Sequence, residues 1–501
     1  MGLENGIFRV GMAALGTWAL ASVLISDLMP TPLGGYADQR FLLVLLSGLL
    51  VTGSILTLLN QSQLRGCSLV SELLPFTMFS VSFLLLTVPF ASQSYLWVEP
   101  GMYGFYFLAV GCTGVALARV DAAFGYTCFL ILLVASGCAL YGAMSINVYL
   151  FALLDGVTDL VDFLPWGFVN IRYWSHAATW LVPLLPLAVL VGPMKKHSLW
   201  RALVALGAGL WWWLLFLSAA RGSVLGVLFG AVLVFLTVGR QSLPWVKVFV
   251  QYLVTGVLIW LVLSVLIPSF LAEEAQIRAI SSDSSGRIPL FVEAWQMSLY
   301  NFPFGMGPQS WLTHDVLTSV YRESKKFGHP HNMYLMWAAE YGWLLMGFLA
   351  IVVLQAVRGF WRQRNVFREE GGENLLLLTG FTASVSAALF HAGVSAVFIA
   401  PGSMLIGLFV LIGFWALIQP APTLSKEVGS GKTMLTYKLV AILLATIVAA
   451  AWVAWAREVA IYYSDMRSDE SFYQEQGGGG IYPRFWFHGN FPRSADQTPT
   501  P

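Results

Sequence analysis

Apolar runs long enough to cross a membrane recur along nearly the whole chain, separated by short polar breaks. They fall near residues 7–26, 41–60, 70–90, 101–119, 123–144, 174–193, 199–219, 222–239, 247–267, 330–356, 375–397, 402–419 and 435–456. A helix needs about 20 apolar residues to span about 30 Å of hydrocarbon, where every backbone polar group must be paired internally. Each run therefore predicts a helix. Of the 501 residues, 57% are hydrophobic and 11% charged, against roughly 25% charged in soluble domains. The expected fold is an all-α polytopic membrane protein with about 13 transmembrane helices and a long, partly helical loop between helices 9 and 10. The first run ends in Asp27-Leu-Met-Pro30 rather than a small-residue cleavage site, so it is read as a retained span.

Other classes are excluded by what accompanies these runs. A net charge of +1, with no basic arm, gives no footprint for nucleic acid. Cys67, Cys112, Cys128 and Cys138 all lie in or beside the first five runs, and their spacing is neither a disulfide framework nor a zinc site. The segment Gly429-Ser-Gly-Lys-Thr433 ends like a phosphate-binding loop, but Lys426 stands where the pattern requires glycine. We read it as a linker.

Lysine and arginine placement sets the orientation. With the N-terminus inside, the short inner loops hold Arg9, Arg65, Arg119, Lys195, Lys196, Arg201, Arg240, Lys247, Arg358, Arg362, Arg364, Arg368, Lys426, Lys432 and Lys438. The short outer loops hold Arg40, Arg172 and Arg221. Four regions follow: helices 1–9 over residues 1–267, an outer loop over 268–329 carrying Arg287, helices 10–13 over 330–456, and a flexible outer tail over 457–501. Between Asn147 and Asn170, Asp155, Asp159 and Asp162 share one helix face. This predicts an interfacial helix whose carboxylates are either solvated or able to hold a divalent cation.

Three polar features interrupt the outer ends of the spans. Ser218-Ala-Ala-Arg-Gly-Ser223 puts one arginine at the start of span eight, either snorkelling to the surface or paired with an anion. In the long loop, Gly286-Arg287 leads into the amphipathic Leu290–Tyr300 stretch and then Pro303-Phe-Gly-Met-Gly-Pro308. Arginine's planar fork of donors suits phosphate oxygens, although an isolated loop arginine is usually just solvated. His329-Pro-His-Asn332 opens span ten, where an imidazole beside a helix start can take a proton next to a bound anion. Either histidine can serve; His331 is favoured because it precedes the asparagine. Arg172, beside Tyr173 and His176, is a further candidate phosphate or glycan contact. Glu340 is about half a turn out of phase with His331 and is expected to face another helix.

Together, SAARGS, the arginine followed by PFGMGP, and HPHN followed by Glu340-Tyr-Gly-Trp343 resemble the O-antigen ligase and polymerase superfamily, bacterial inner-membrane glycosyltransferases. The resemblance is strongest over residues 205–348. It implies a donor glycan on undecaprenyl diphosphate and an active site facing the periplasm. It also implies His331 as general base, Arg221 and Arg287 on the diphosphate, and Arg172, His329 and Asn332 as substrate contacts. Inversion at the sugar carbon without a metal or other cofactor is part of the same expectation. The acceptor is lipid A core or a protein such as pilin, with membrane lipids as the surroundings and no nucleic acid. A polymerase of lipid-linked glycan is the alternative within this class. A non-enzymatic lipid-linked glycan transporter is the alternative outside it, although the chain shows neither internal repeats nor charges lining a path across the bilayer.

Overall fold

The computed structural model describes residues 2–30, 36–60, 66–90, 94–157, 160, 163–168, 171–271, 286–325, 327–420 and 431–475. Helices dominate the described residues, among which there is no strand, and 11 stretches are long and apolar enough to cross a membrane.

In chain order the helices are α1 (Gly2–Leu24), α2 (Tyr36–Asn60), α3 (Gly66–Leu85), α4 (Val98–Arg119), α5 (Ala123–Leu154) and α6 (Ile171–Leu181). They continue with α7 (Ser198–Leu217), α8 (Arg221–Val238), α9 (Leu243–Trp260), α10 (Ile267–Leu271) and α11 (Arg287–Tyr300). The remainder are α12 (Ser310–Thr313), α13 (Ser319–Arg322), α14 (Met333–Glu370), α15 (Glu373–Ala392), α16 (Pro401–Ile418) and α17 (Gly431–Glu475). The apolar stretch Arg221–Phe270 contains both α8 and α9, divided by a 3-10 turn at Gly239–Ser242. Helix α6 continues as the 3-10 segment Val182–Val189, whose Pro183 and Pro186 deny it α-helical hydrogen bonds. With that stretch divided and α6 added, the helices match the roughly thirteen runs read from hydropathy.

Several boundaries differ from expectation. Helix α5 absorbs the residues expected to begin a separate interfacial helix, because its apolar sequence is unbroken until Asp155, the residue that closes it. Asp159 and Asp162 lie outside the described residues. Helix α17 runs past residue 456 to Glu475, and the rest of the expected tail also lies outside the described residues. Pro401 and Gly402 do mark a break: α15 stops at Ala392 and α16 begins at Pro401.

Side-chain ties define the two ends of the bundle. At one end Arg9 Nη2 donates to the Val120 carbonyl at 3.0 Å, Arg119 pairs with Glu72, and Lys195 pairs with Glu373. At the other, Arg40 is buried and donates to the Ile399 carbonyl at 3.2 Å, and the Tyr334 hydroxyl donates to the Leu389 carbonyl at 2.7 Å. This second end is where Arg172, Arg221, Arg287 and His331 stand, at the starts of α6, α8, α11 and α14.

Helices α4 and α16 are buried along almost their whole length and form the centre. Trp337 of α14 sits in an aromatic nest there, with ring centroids 5.4 Å from Tyr103, 5.7 Å from Phe83 and 5.7 Å from Phe398. Such packing, edge-to-face with Tyr103 and Phe83 and tilted with Phe398, fixes both position and rotation of a helix. It seats the first turns of α14 firmly against α3 and α4.

Candidate active site

Helix α14 is two helices. At Gly342 the backbone takes φ 82°, ψ 176°, so Met333–Tyr341 is a short segment set off from the long span beyond it. The break frees backbone groups that must find partners. The loop turn Pro303–Gly307 supplies them: Met306 N donates to the Ala339 carbonyl at 2.8 Å, Gly307 N to the Glu340 carbonyl at 2.9 Å, and Leu344 N to the Pro303 carbonyl at 3.2 Å. Thus PFGMGP and EYGW, two motifs separated in sequence, form one joint. The Glu340 carboxylate accepts from the Trp311 amide at 3.3 Å, so it faces the loop rather than a neighbouring span.

This joint orients α11, which starts at Arg287 with Gly286 preceding it in the left-handed region at φ 67°. Buried beneath α11, the Glu293 carboxylate accepts from His314 Nε2 at 2.9 Å, Leu317 N at 2.7 Å, Thr318 N at 2.9 Å and the Thr318 hydroxyl. Burial alone raises this carboxyl, but those hydrogen bonds outweigh it and hold the group below its ordinary value. The loop is therefore pinned at a buried anion as well as at the helix break.

The cationic side chains at this end lie within electrostatic reach of one another. Arg287 is half-buried, and its charged form is disfavoured first by burial and then by Arg172 and Arg221. Among the described residues it has no ion-pair partner. His331 is buried, and its pKa is lowered to about 3, first by burial and then by Arg172 and Arg287. Three guanidinium groups and one imidazole thus share one field, reinforced by the partial positive charge of the helix starts. The arrangement favours an anion.

The two motif histidines are not equivalent. The His331 backbone N–H donates to His329 Nδ1 at 3.0 Å, so that nitrogen is an acceptor and the His329 proton sits on Nε2. His331 itself adopts φ 57°, a left-handed conformation costly for a residue with a Cβ. Its ring stands 4.2 Å from that of His329 and 5.1 Å from that of Phe327. Asn332 caps α14, its Oδ1 accepting from Leu335 N at 3.0 Å. Its side-chain oxygen is thereby engaged in holding the helix start.

A second pair of histidines lies next to this group. His391 and His176 are buried with ring centroids 5.0 Å apart. The Thr179 hydroxyl donates to the Ser175 carbonyl at 2.8 Å, so it accepts from His391 Nδ1 at 2.9 Å. That places the His391 proton on Nδ1 and leaves Nε2 as the acceptor. His176 Nε2 is bonded to the Ser395 hydroxyl at 2.7 Å. His391 is within electrostatic range of Arg287, and His176 within that of His331 and Arg172.

Glycines bring this layer close to Arg221. Along α8, Gly222, Gly226 and Gly230 face His391, Ala387 and Ala383 of α15. A Cβ on Gly226 would stand 2.7 Å from the Ala387 carbonyl, and one on Gly230 2.3 Å from that of Ala383. Small residues at this spacing let membrane helices touch backbone to backbone. The His391 ring edge then meets Gly222, one residue past Arg221.

All six residues singled out in the sequence lie at this end of the bundle: Arg172, Arg221, Arg287 and His331 share one electrostatic field, and His329 and Asn332 flank His331. His391 was missed because it sits inside an apolar run without a motif around it. An ionisable side chain at that depth is itself a signal, since such residues are rare in spans unless they serve a purpose.

A polytopic helical membrane protein with a cationic, histidine-bearing rim is thus the class that the fold and site define. Residues 202–350, which run from α7 through the loop to the first half of α14, match the family model described as O-Antigen ligase. That match supports the O-antigen ligase superfamily, whose members are ligase- and polymerase-type glycosyltransferases. No curated protein matches the chain.

Proposed function

We propose that this protein transfers a glycan from undecaprenyl diphosphate to an acceptor hydroxyl at the periplasmic face of the bacterial inner membrane. The observation that carries the proposal is the shared field of Arg172, Arg221, Arg287 and His331 at four helix starts. Arg221 and Arg287 bind the diphosphate, with Arg172 beside them. His331 accepts the acceptor's hydroxyl proton as the oxygen attacks the anomeric carbon from the side opposite the diphosphate. The bond from that carbon to the diphosphate breaks, its electron pair leaves with the phosphate oxygen, and the configuration inverts.

The energetics favour this division of labour. Diphosphate leaves readily once its developing charge is met by preorganised donors, and positioning with one proton transfer supplies the rest. A low pKa keeps the His331 imidazole neutral. Diphosphate binding then offsets the arginine charges and raises its basicity where the proton must be taken. His329 cannot substitute easily, because its Nδ1 lone pair already accepts from His331. It serves instead to hold the His331 backbone, and Asn332 holds the helix start. Guanidinium groups meet the leaving-group charge, so activity is expected to survive a chelator.

The test uses purified protein with lipid-linked glycan and, separately, lipid A core, a pilin, or no added acceptor, with product masses recorded. A glycosylated acceptor supports transfer, and lengthened lipid-linked chains without acceptor identify a polymerase. Donor crossing a vesicle membrane with no new glycosidic bond overturns the enzymatic proposal in favour of transport.

A further inference from the structure

Helix α11 is apolar on two faces. Inward, Leu290, Ala294 and Met297 pack on Trp311, Tyr321 and Ala339. Outward, Ile288, Val292, Trp295 and Leu299 are 60%, 38%, 44% and 44% exposed. Their spacing places them on one helix stripe. Tyr300, Phe302 and Phe304 prolong that stripe at 71%, 64% and 50% exposure. Between Ile288 and Phe304 the sole charged residue is Glu293, which is buried on the inward side. The exposed surface from Ile288 onward is therefore uncharged, unlike an ordinary aqueous face.

The stripe leads into a membrane-facing surface. Trp295 packs edge-on against Trp343 with centroids 5.6 Å apart. Leu344 follows, exposed, and beyond it Ile351 and Leu354 face outward along the span of α14. The end of α13 and the residues after it are different in kind, exposing Arg322, Glu323 and Lys325. An aromatic-rich apolar stripe continuous with a span, in a loop whose charges are exposed elsewhere, is the pattern of a helix lying in the interfacial layer.

We propose that the outward face of α11 is inserted among the lipids of the leaflet on the active-site side. The bilayer then covers the stripe and holds Arg287, the first residue of the helix, near the depth of lipid phosphates. The loop is a membrane-riding element as well as a cover over the site. This assignment stands independently of glycan transfer, since it concerns only where the helix rides.

The test is the depth of nitroxide labels on the full-length protein in phosphatidylcholine–phosphatidylglycerol vesicles. Labels are introduced singly at positions 288, 292, 295 and 299, with 322 and 323 as aqueous controls. Accessibility to oxygen relative to a water-soluble nickel complex is expected to be at least about threefold higher at the four stripe positions than at the controls. Ratios equal to the controls overturn the proposal. Exclusion of both reagents from the stripe also overturns it, because it means that protein covers the face. A second variant, Val292→Glu, is expected to lower the ratio at position 288; no change there contradicts lipid insertion as the source of the signal.

Discussion

Gly305 and Gly342 stand main chain against main chain: a methyl group on Gly305 would lie 2.5 Å from the Gly342 amide nitrogen, and one on Gly342 would lie 2.1 Å from the Pro303 carbonyl oxygen. Both residues also have left-handed φ, 76° and 82°. This contact lets the loop turn satisfy the broken helix and fixes α11 relative to His331.

Gly342→Ala is therefore expected to cost more than about 2 kcal/mol through combined clash and backbone strain. Gly347, a few residues on, has open space where its Cβ would go, so Gly347→Ala should leave stability unchanged or slightly improved. Thermal unfolding in detergent compares them. Equal midpoints for the two variants contradict the joint.

His331→Ala should reduce kcat/KM by about 10²- to 10⁴-fold, the range for removal of a general base, with normal membrane insertion. His329→Ala loses the acceptor for the His331 amide and should fall by only about tenfold, the equivalent of one hydrogen bond. Initial rates with lipid-linked donor distinguish them. A more severe loss in the His329 variant would reverse the assignment of the base.

Arg172→Ala carries a signed pH effect. Burial and the cations Arg172 and Arg287 hold the His331 pKa near 3. Removing one cation favours the protonated imidazole and raises that value. The acid limb of kcat/KM should therefore move to higher pH than in the wild type, with donor ionisation controlled by using the same substrate. A shift to lower pH, or none, contradicts the shared field.

Arg287→Lys keeps the charge but loses the planar fork of donors. Donor KM should rise about tenfold or more, with a larger loss for Arg287→Ala. Identical kinetics for Arg287→Lys and wild type indicate that Arg287 does not grip the diphosphate through paired hydrogen bonds.

Glu293→Gln replaces an acceptor for four donors with a group that presents its own N–H hydrogens. Two backbone amides, Leu317 and Thr318, would compete for a single remaining carbonyl oxygen. The loop should lose about 2–3 kcal/mol of local stability, measured as faster hydrogen exchange over α11–α13 while the spans remain protected.

The spans were legible because hydrocarbon imposes a length and composition that few other structures share. Arg172, Arg221 and His331 were legible as polar residues at the ends of apolar runs, and Arg287 as the arginine leading into the amphipathic stretch of the long loop. The Gly342 break was not: a single glycine inside an apolar run also fits an unbroken helix, and only the partner turn at Pro303–Gly307 reveals the conformation it adopts. His391 was hidden because its neighbours Thr179 and Ser223 come from distant helices. The extension of α17 to Glu475 was missed because charge beyond Arg457 marks the end of a span, not the end of a helix.

The clasp of Met306 and Gly307 on Ala339 and Glu340 also closes the chain between them into a ring tethered at both ends. Within that ring the segment from α12 to α13 is itself tied to α11, through Glu293 with His314, Leu317 and Thr318, so its length and chemistry are coupled to where Arg287 is held. Insertion or deletion in it would therefore reach the arginine as well as the loop.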